Sequence, residues 1–497
     1  MKLRTRFLSA AFDWRITDDL LLQVNVTDRD YKKLGNPSSW SFAPGAVRPS
    51  AKEIDNTRIW GQHWERNHYQ NTRYGANLRW EAAPWLTLRA GWMQSDSERG
   101  YADGVSNTFQ ADGSFTRSGR FFGPGVDTMN QISKDTRAQL FGDFRFETGT
   151  ISHQVTAGVQ YHKDWSVRYS NGWAPYVTVF SDGHLEDGPR YVDRPVVAPF
   201  DRGARNATWT DTRTTFTVGD DIRLDERWSL LAGLSHSTIE VRSQGWSTPP
   251  YEESAVTPTL SLIYKPLPAV TTYVTYMESL EQGGTAAEQF GGAPVVNAGE
   301  SMKPMVSDQI EIGAKWSVGG MLLSTALFQI DKSLQYYDIS DPAAPVYVQD
   351  GRQVHRGIEF TAFGRMAERW SLIGGLTLPD AKVKKQEQNP ALEGKHPTGT
   401  AERLAKLRVE YDTRWLPGLT LVGGVQYTRH RYADQMNTDR LPAFTLFDVG
   451  ARYATTLAGR PLTARLEVQN AGDRRYWNNG SEVGEPRTLT FSLSTDF

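Results

Sequence analysis

Apolar and polar residues alternate along this chain with the period of two that a β-strand imposes. In the last eleven residues, Leu489, Phe491, Leu493, Thr495 and Phe497 share one face, and Thr488, Thr490, Ser492, Ser494 and Asp496 share the other. The same rhythm begins the chain. Leu8, Ala10, Phe12, Trp14 and Ile16 oppose Ser9, Ala11, Asp13 and Arg15. It returns at Tyr74, Ala76, Leu78 and Trp80 against Arg73, Gly75, Asn77 and Arg79. Later, Ile310, Ile312, Ala314 and Trp316 oppose Glu311, Gly313 and Lys315, and Leu462, Ala464, Leu466 and Val468 oppose Thr463, Arg465, Glu467 and Gln469.

Period alone does not separate a soluble sandwich from a barrel, because both alternate. Connection lengths do. Short ones recur at Thr17–Asp19, Ala82–Pro84, Glu147–Thr150, Asp225–Arg227, Lys265–Pro268, Val318–Gly320, Ala367–Arg369 and Leu457–Pro461. Long segments lie between them, at about 31–69, 99–135, 163–207 and 280–305. Tight turns on one rim and long loops on the other are the pattern of outer-membrane barrels. The reading predicts an all-β fold, a transmembrane antiparallel β-barrel with about 19–20 visible strands.

Strand direction adds an expectation. The first hairpin turns tightly at Thr17–Asp19, so the first strand runs towards the turn rim, and so does the last. Complete bacterial barrels have even strand numbers. The chain is therefore expected to be the N-terminally truncated part of a barrel, and three further strands would make the 22 of the large plugged transporters. One domain is expected over residues 1–497.

Composition narrows the class. No apolar run is long enough for a membrane helix. The net charge of −2 predicts no nucleic-acid partner. There is no Cys, which removes disulfides and thiolate metal sites. The 16 Trp, 20 Tyr and 21 Phe suit aromatic girdles at two membrane interfaces. Met1-Lys-Leu-Arg-Thr-Arg-Phe-Leu-Ser-Ala-Ala resembles a signal peptide only superficially. Its apolar patch is short and Asp13 and Arg15 follow at once, so it reads as a strand.

Five segments carry a more specific resemblance. The first runs from Tyr273-Val-Thr-Tyr-Met-Glu-Ser-Leu280 through Asn297–Glu300, Lys303-Pro304 and Ser307–Trp316. The second is Arg356-Gly-Ile-Glu-Phe360 with Gly364-Arg365 and Trp370–Leu376. The others are Gly394-Lys-His-Pro397, then Leu441–Gly450, then Val468–Asn470 with Asp473–Trp477, Gly484–Arg487 and the terminal strand. In this order they resemble the barrel of TonB-dependent ferric-siderophore receptors, over roughly residues 270–497. The resemblance implies an outer-membrane receptor that imports a ferric siderophore, energised by TonB with ExbB and ExbD. It implies iron only as the chelated cargo and no resident cofactor. On this resemblance, the family's plug domain and its TonB-docking segment are expected to be absent from this chain. A plugless, porin-like passive pore therefore stays open as an alternative, as does a receptor for another scarce nutrient such as haem.

A bulky chelate is held by aromatic faces and by Arg or polar groups. The candidates are Trp165, Arg168, Tyr169, Trp173 and Tyr176 in one long segment, Arg120, Phe121 and Phe122 in another, and Tyr336, Tyr337 and Arg352 near a shorter loop. Girdle or loop packing would use the same aromatics. Phe491, Leu493 and Phe497 are the expected assembly signal for the barrel-assembly machinery. Enzymatic readings find little support. His63 and His68 are five apart rather than the four of a helical zinc pair, and Gly-x-Ser-x-Gly is not found.

Overall fold

The computed structural model describes residues 2–35, 39–101, 104–120, 131–171, 176–196, 201, 203–245 and 250–495. Among these residues nineteen strands make one sheet, from Lys2–Thr17 to Thr488–Thr495. Each pairs antiparallel with the wall strand next to it in the chain. The meander continues in this way to the last strand. The strand count agrees with the alternation. Two of the tight turns show why they turn where they do. Gly319 and Gly320 both have positive φ between Val318 and Met321, as do Ala458 and Gly459 between Leu457 and Arg460. Positive φ at both central positions matches the right-handed twist of the flanking strands, and glycine adopts it without strain.

The register separates the two faces. Trp14 lies opposite Leu22, Leu22 opposite Leu78, and Trp316 opposite Leu323. This face keeps Phe12, Leu234, Ile312 and Leu327 more than half exposed. A soluble protein would not leave such a band of large apolar groups in water; a bilayer covers it. Trp14, Trp80, Trp228, Trp316 and Trp370 stand on this face towards the turn rim and are all at least a third exposed. Higher up, Tyr74 and Trp92 lie 5.6 Å apart. The wall strands outrun a bilayer: Gln131–Thr148 has 18 residues, roughly 60 Å, where about 9–11 residues suffice to span. The excess lies on the loop side. There the outer face turns charged, with Arg6–Asp28, Arg352–Asp331 and Arg356–Asp380 as ion pairs.

The first and last strands both run from the loop rim to the turn rim. Among the described residues no ladder joins Lys2–Thr17 to Thr488–Thr495. The loops bridge them instead. Ser39–Phe42, Gly104–Phe109, Phe115–Arg120 and Tyr176–Gly183 form a second, four-stranded sheet built entirely from loop segments. Its parallel pair, Ser39–Phe42 with Gly104–Phe109, joins two loops far apart in sequence. Trp40, Ile54, Trp60, Phe109, Phe115, Leu441 and Trp477 make a buried core at this rim. Trp40 stacks on Phe109 at 4.8 Å and meets Trp60 edge-on at 5.4 Å. The loop core was not legible in the alternation, because one short hairpin, Gly104–Phe109 with Phe115–Arg120, is joined on either side by strands from distant loops.

Candidate functional site

The long loops supply the rim. The segment around Arg190–Val192 is stitched to the first loop. Gln62, fully buried, donates to the Arg190 carbonyl at 3.1 Å and accepts from the Val192 amide at 3.0 Å. Trp64 Nε1 donates to the Val192 carbonyl and Tyr191 Oη to the Ile59 carbonyl. On the far side, Arg48 grips Asp439 and Trp477 Nε1 donates to the Pro49 carbonyl at 3.0 Å. Burial pushes the Tyr476 phenol above its ordinary value, and its ring packs 4.2 Å from Phe444. These contacts hold the rim as one packed layer above the lumen.

Most of the aromatic and Arg candidates are engaged in that layer or in the wall. Tyr336 is 3% exposed. Tyr337 lies 4.2 Å from Phe290 and 4.7 Å from Tyr347, and its hydroxyl accepts from the Ala287 amide. Arg352 is held by Asp331 through two bonds of 2.7 Å, on the outer face above the apolar band. Trp165 lies opposite Lys134 and Thr210, which places it on the outer face with Tyr161. Arg168 ends its strand opposite Ala207, and the Arg205 guanidinium lies 5.4 Å from the Tyr169 ring. Tyr176 and Arg120 face each other in the loop sheet; their side chains lie outside the described part. Trp173, Phe121, Phe122 and Phe497 lie outside the described residues. Phe491 and Leu493 are exposed on the outer face of the last strand. The two His of the rejected metal pair diverge: His63 packs against Tyr191 with ring centroids 3.9 Å apart and planes tilted by 37°, and His68 bonds Asp30 at 2.7 Å. Among the described residues no group of three or more His, Asp or Glu is placed to hold a metal ion.

The lumen face holds a different constellation. On the strands Gln131–Thr148, Ile151–Arg168 and Ala207–Arg223, Asp135, Asp164 and Asp211 form one cross-strand row. Two residues further from the loops, Arg137, His162 and Arg213 form the next. Below them come Gln139, Gln160 and Thr215. Three carboxylates in one row repel, and the cations below relieve two of them. Arg137 donates to Asp135 from Nε (2.9 Å) and Nη2 (3.1 Å). Arg213 meets Asp211 in the same way at 3.3 and 3.2 Å. His162 Nε2 also lies 2.9 Å from Asp135. Each carboxylate thus binds its guanidinium along the Nε–Nη2 edge, and the Arg137 and Arg213 side chains stay 59% and 44% exposed.

The two lower rows, but not the carboxylates, line a recess of about 730 Å³ in the wall, with Arg73 and Asn77 at its other side. Gly75 and Gly91 form its floor. A Cβ on Gly91 would meet Asn77 Oδ1 at 3.0 Å and Gln139 Nε2 at 3.1 Å. A recess of about 770 Å³ exists elsewhere, but Trp316, Leu323, Phe360 and Leu407 line it on the outer, bilayer-facing side. It offers no polar recognition and is a furrow in the apolar wall.

Sequence reasoning missed the lumen recess, although a signal was present. Asp135-Thr-Arg137 and Asp211-Thr-Arg213 repeat a tripeptide, and Asn71-Thr-Arg73 nearly does. In a strand this spacing puts acid and base on one face. The signal is ambiguous alone, since Asp412-Thr-Arg414 repeats it at a tight turn.

Comparison with known proteins comes from three directions. The family described as TonB dependent receptor-like, beta-barrel, matches residues 13–471. The ferrichrome receptor FcuA of Yersinia enterocolitica is 30% identical over 373 residues, covering 71% of this chain and 47% of that protein. The metal-pseudopaline receptor CntO of Pseudomonas aeruginosa is 26% identical over 480 residues, 90% of this chain and 61% of that protein. The chain thus spans about half to three-fifths of the length of these curated relatives. Among solved structures, the ferric preacinetobactin receptor BauA of Acinetobacter baumannii superposes on all of this chain and 72% of its own, with TM-score 0.86 and 25% identity. The siderophore receptor PiuA of the same species shares the fold at TM-score 0.78 and 17% identity.

Proposed function

The chain belongs to the TonB-dependent receptor β-barrel family, and on that premise we propose that it serves the uptake of a ferric siderophore across the outer membrane of a Gram-negative bacterium. The observation that carries this reading is the superposition of the whole chain on a ferric siderophore receptor at TM-score 0.86. The physical features are consistent with it. An apolar band faces outward, a layer of packed loops caps one rim, and the lumen wall is polar and charged. Capture and passage of a chelate need shape, aromatic faces and hydrogen-bonding groups rather than bond chemistry. Iron enters this reading as cargo within its chelate. TonB with ExbB and ExbD supplies the energy, and the lipid of the outer membrane and the barrel-assembly machinery are the other partners.

The test is growth. Cells lacking their own siderophore receptors, starved of iron and expressing the protein, are offered a panel of ferric hydroxamates, catecholates and mixed chelates. Rescue by one class, abolished when TonB is deleted, is the expected result. No rescue by any chelate, or rescue that persists without TonB, overturns the proposal; the second outcome marks a passive pore.

A further inference from the structure

The outer face carries a surplus of cations in one sector, at the loop end of Lys2–Thr17, Leu20–Leu34 and Arg66–Ala83. The register puts Lys2 across from Leu34, and Leu34 across from Arg66. One row nearer the bilayer, Arg4 stands across from Lys32, and Lys32 across from His68. Over these three strands the two rows hold four Lys or Arg side chains and no carboxylate. Like charges directly opposite destabilise a ladder, and all four side chains are exposed. The acids lie lower. Asp30 serves Lys32 at 3.4 Å and His68 at 2.7 Å, and Asp28 serves Arg6 at 3.4 Å. Five cations, with Arg6 counted, thus meet two carboxylates on these strands. On the next strand Asp96 is occupied by Tyr74 and Gln94, and Glu98 lies opposite Gln70. Elsewhere at this height the face is acidic or balanced. Glu278, Asp308 and Asp331 form one row, and Arg356 and Lys382 share Asp380.

Below the cations the same face presents Leu8, Phe12, Trp14, Val24 and Val26 to the bilayer, all exposed. Arg6 and Arg4 lie two and four residues beyond Leu8, about 5 and 10 Å above the apolar band once strand tilt is counted. The headgroup layer is about 5–8 Å deep on each side of a bilayer, so the cations stand at its height. Long loops mark the extracellular rim, which makes this the outer leaflet. We propose that this sector is a docking surface for a phosphorylated glycolipid of that leaflet. Its phosphates meet Arg4, Arg6, Lys32 and Arg66, and its acyl chains lie along Leu8, Phe12 and Val26. Basic clusters beside an apolar span attract anionic lipid, and phosphate accepts charge-assisted hydrogen bonds from Arg. A free phosphate would touch the cations alone; a lipid covers cations and apolar wall together. The inference goes beyond the uptake reading and needs only the bilayer placement of the wall.

The experiment uses the full chain purified from outer membranes in detergent. It is titrated with a lipopolysaccharide cut back to its inner core, with the same glycolipid after removal of its phosphates, and with inorganic phosphate. The triple variant Arg4→Gln, Lys32→Gln, Arg66→Gln should bind the phosphorylated glycolipid about a hundredfold more weakly, at about fivefold per charge. Arg356→Gln with Lys382→Gln, in the balanced sector, should stay within about twofold of wild type. Added salt should weaken wild-type binding, a readout that needs no variant. Equal binding by the triple variant and wild type overturns the proposal, as does equal binding of the dephosphorylated glycolipid or binding indifferent to salt. Displacement by equimolar inorganic phosphate would mark a free-phosphate site and overturns it too. Glycolipid binding in the expected pattern without growth rescue by any chelate leaves the docking surface standing and removes the uptake reading. Growth rescue with glycolipid binding unchanged in the triple variant does the reverse.

Discussion

Arg48 and Asp439, 391 residues apart in sequence, form a two-pronged ion pair with Nε and Nη2 donating at 2.8 and 2.6 Å. The Arg48 side chain is only 8% exposed, and its guanidinium lies 4.1 Å from the Phe42 ring and 4.4 Å from the Trp477 ring. The pair ties the first long loop to the loops before the final strands. It therefore holds together the two ends of a sheet whose terminal strands do not pair with each other among the described residues. Arg48→Ala leaves Asp439 part-buried without its partner and exposes the Gly480 carbonyl that Nη2 also serves. The cost to the loop layer is about 2 kcal/mol. Hydrogen exchange should accelerate in residues 39–65 and 470–485 and stay unchanged in the wall strands.

Trp477 is 2% exposed in the rim core and bonds the Pro49 carbonyl. Trp477→Ala should cost about 4 kcal/mol through the cavity and the lost contacts. Trp477→Phe keeps most of the volume and should cost markedly less. Limited proteolysis of the loops, compared with heat-modifiable migration of the barrel, separates local loosening from global failure.

The two faces of one hairpin should respond oppositely to the same charge. Ile312 is 54% exposed on the outer face, so Ile312→Lys should destabilise the protein in lipid vesicles by about 2–4 kcal/mol. Thr275 faces the lumen beside Ser261, so Thr275→Lys should cost little. Urea titration of the vesicle-inserted protein measures both. Equal costs would mean that the faces are assigned the wrong way round.

Low pH should open the rim through Asp55. A hydrogen bond from Thr57 holds its carboxyl below the usual value, helped by Arg475 and Arg58 and opposed by partial burial. A carboxyl with a lowered folded pKa contributes stability that is full above its unfolded value, near 3.8. That contribution is lost as pH falls through the lower folded value. The loop layer should thus resist protease at pH 5 and lose part of that resistance below about 3.8. Asp55→Asn should show weaker protection at both pH values and a smaller change between them.

The alternation of Leu8, Phe12, Trp14 and Ile16 with Ser9, Asp13 and Arg15 was enough to place a two-faced strand, and repeated along the chain it yielded the strand number. Alternation is local: one residue step turns a side chain to the other face, so no distant partner is needed to read it. Candidate ligands fared differently. Tyr337 and Arg352 were chosen for chemistry, yet Phe290, Tyr347 and Asp331 occupy them. Arg137 and Arg213 were passed over, yet they line a lumen recess.

The sequence by itself determined the all-β wall, its tight turns, and the faces towards lipid and lumen, because each follows from residues one to four positions apart. Only the tertiary structure decided that Arg48 meets Asp439, that four loop segments form a sheet, and that two Asp-Thr-Arg tripeptides share a ledge while a third sits at a turn. Those outcomes depend on which strands become neighbours and in what register, and curvature of the whole sheet brings together side chains that no local pattern relates.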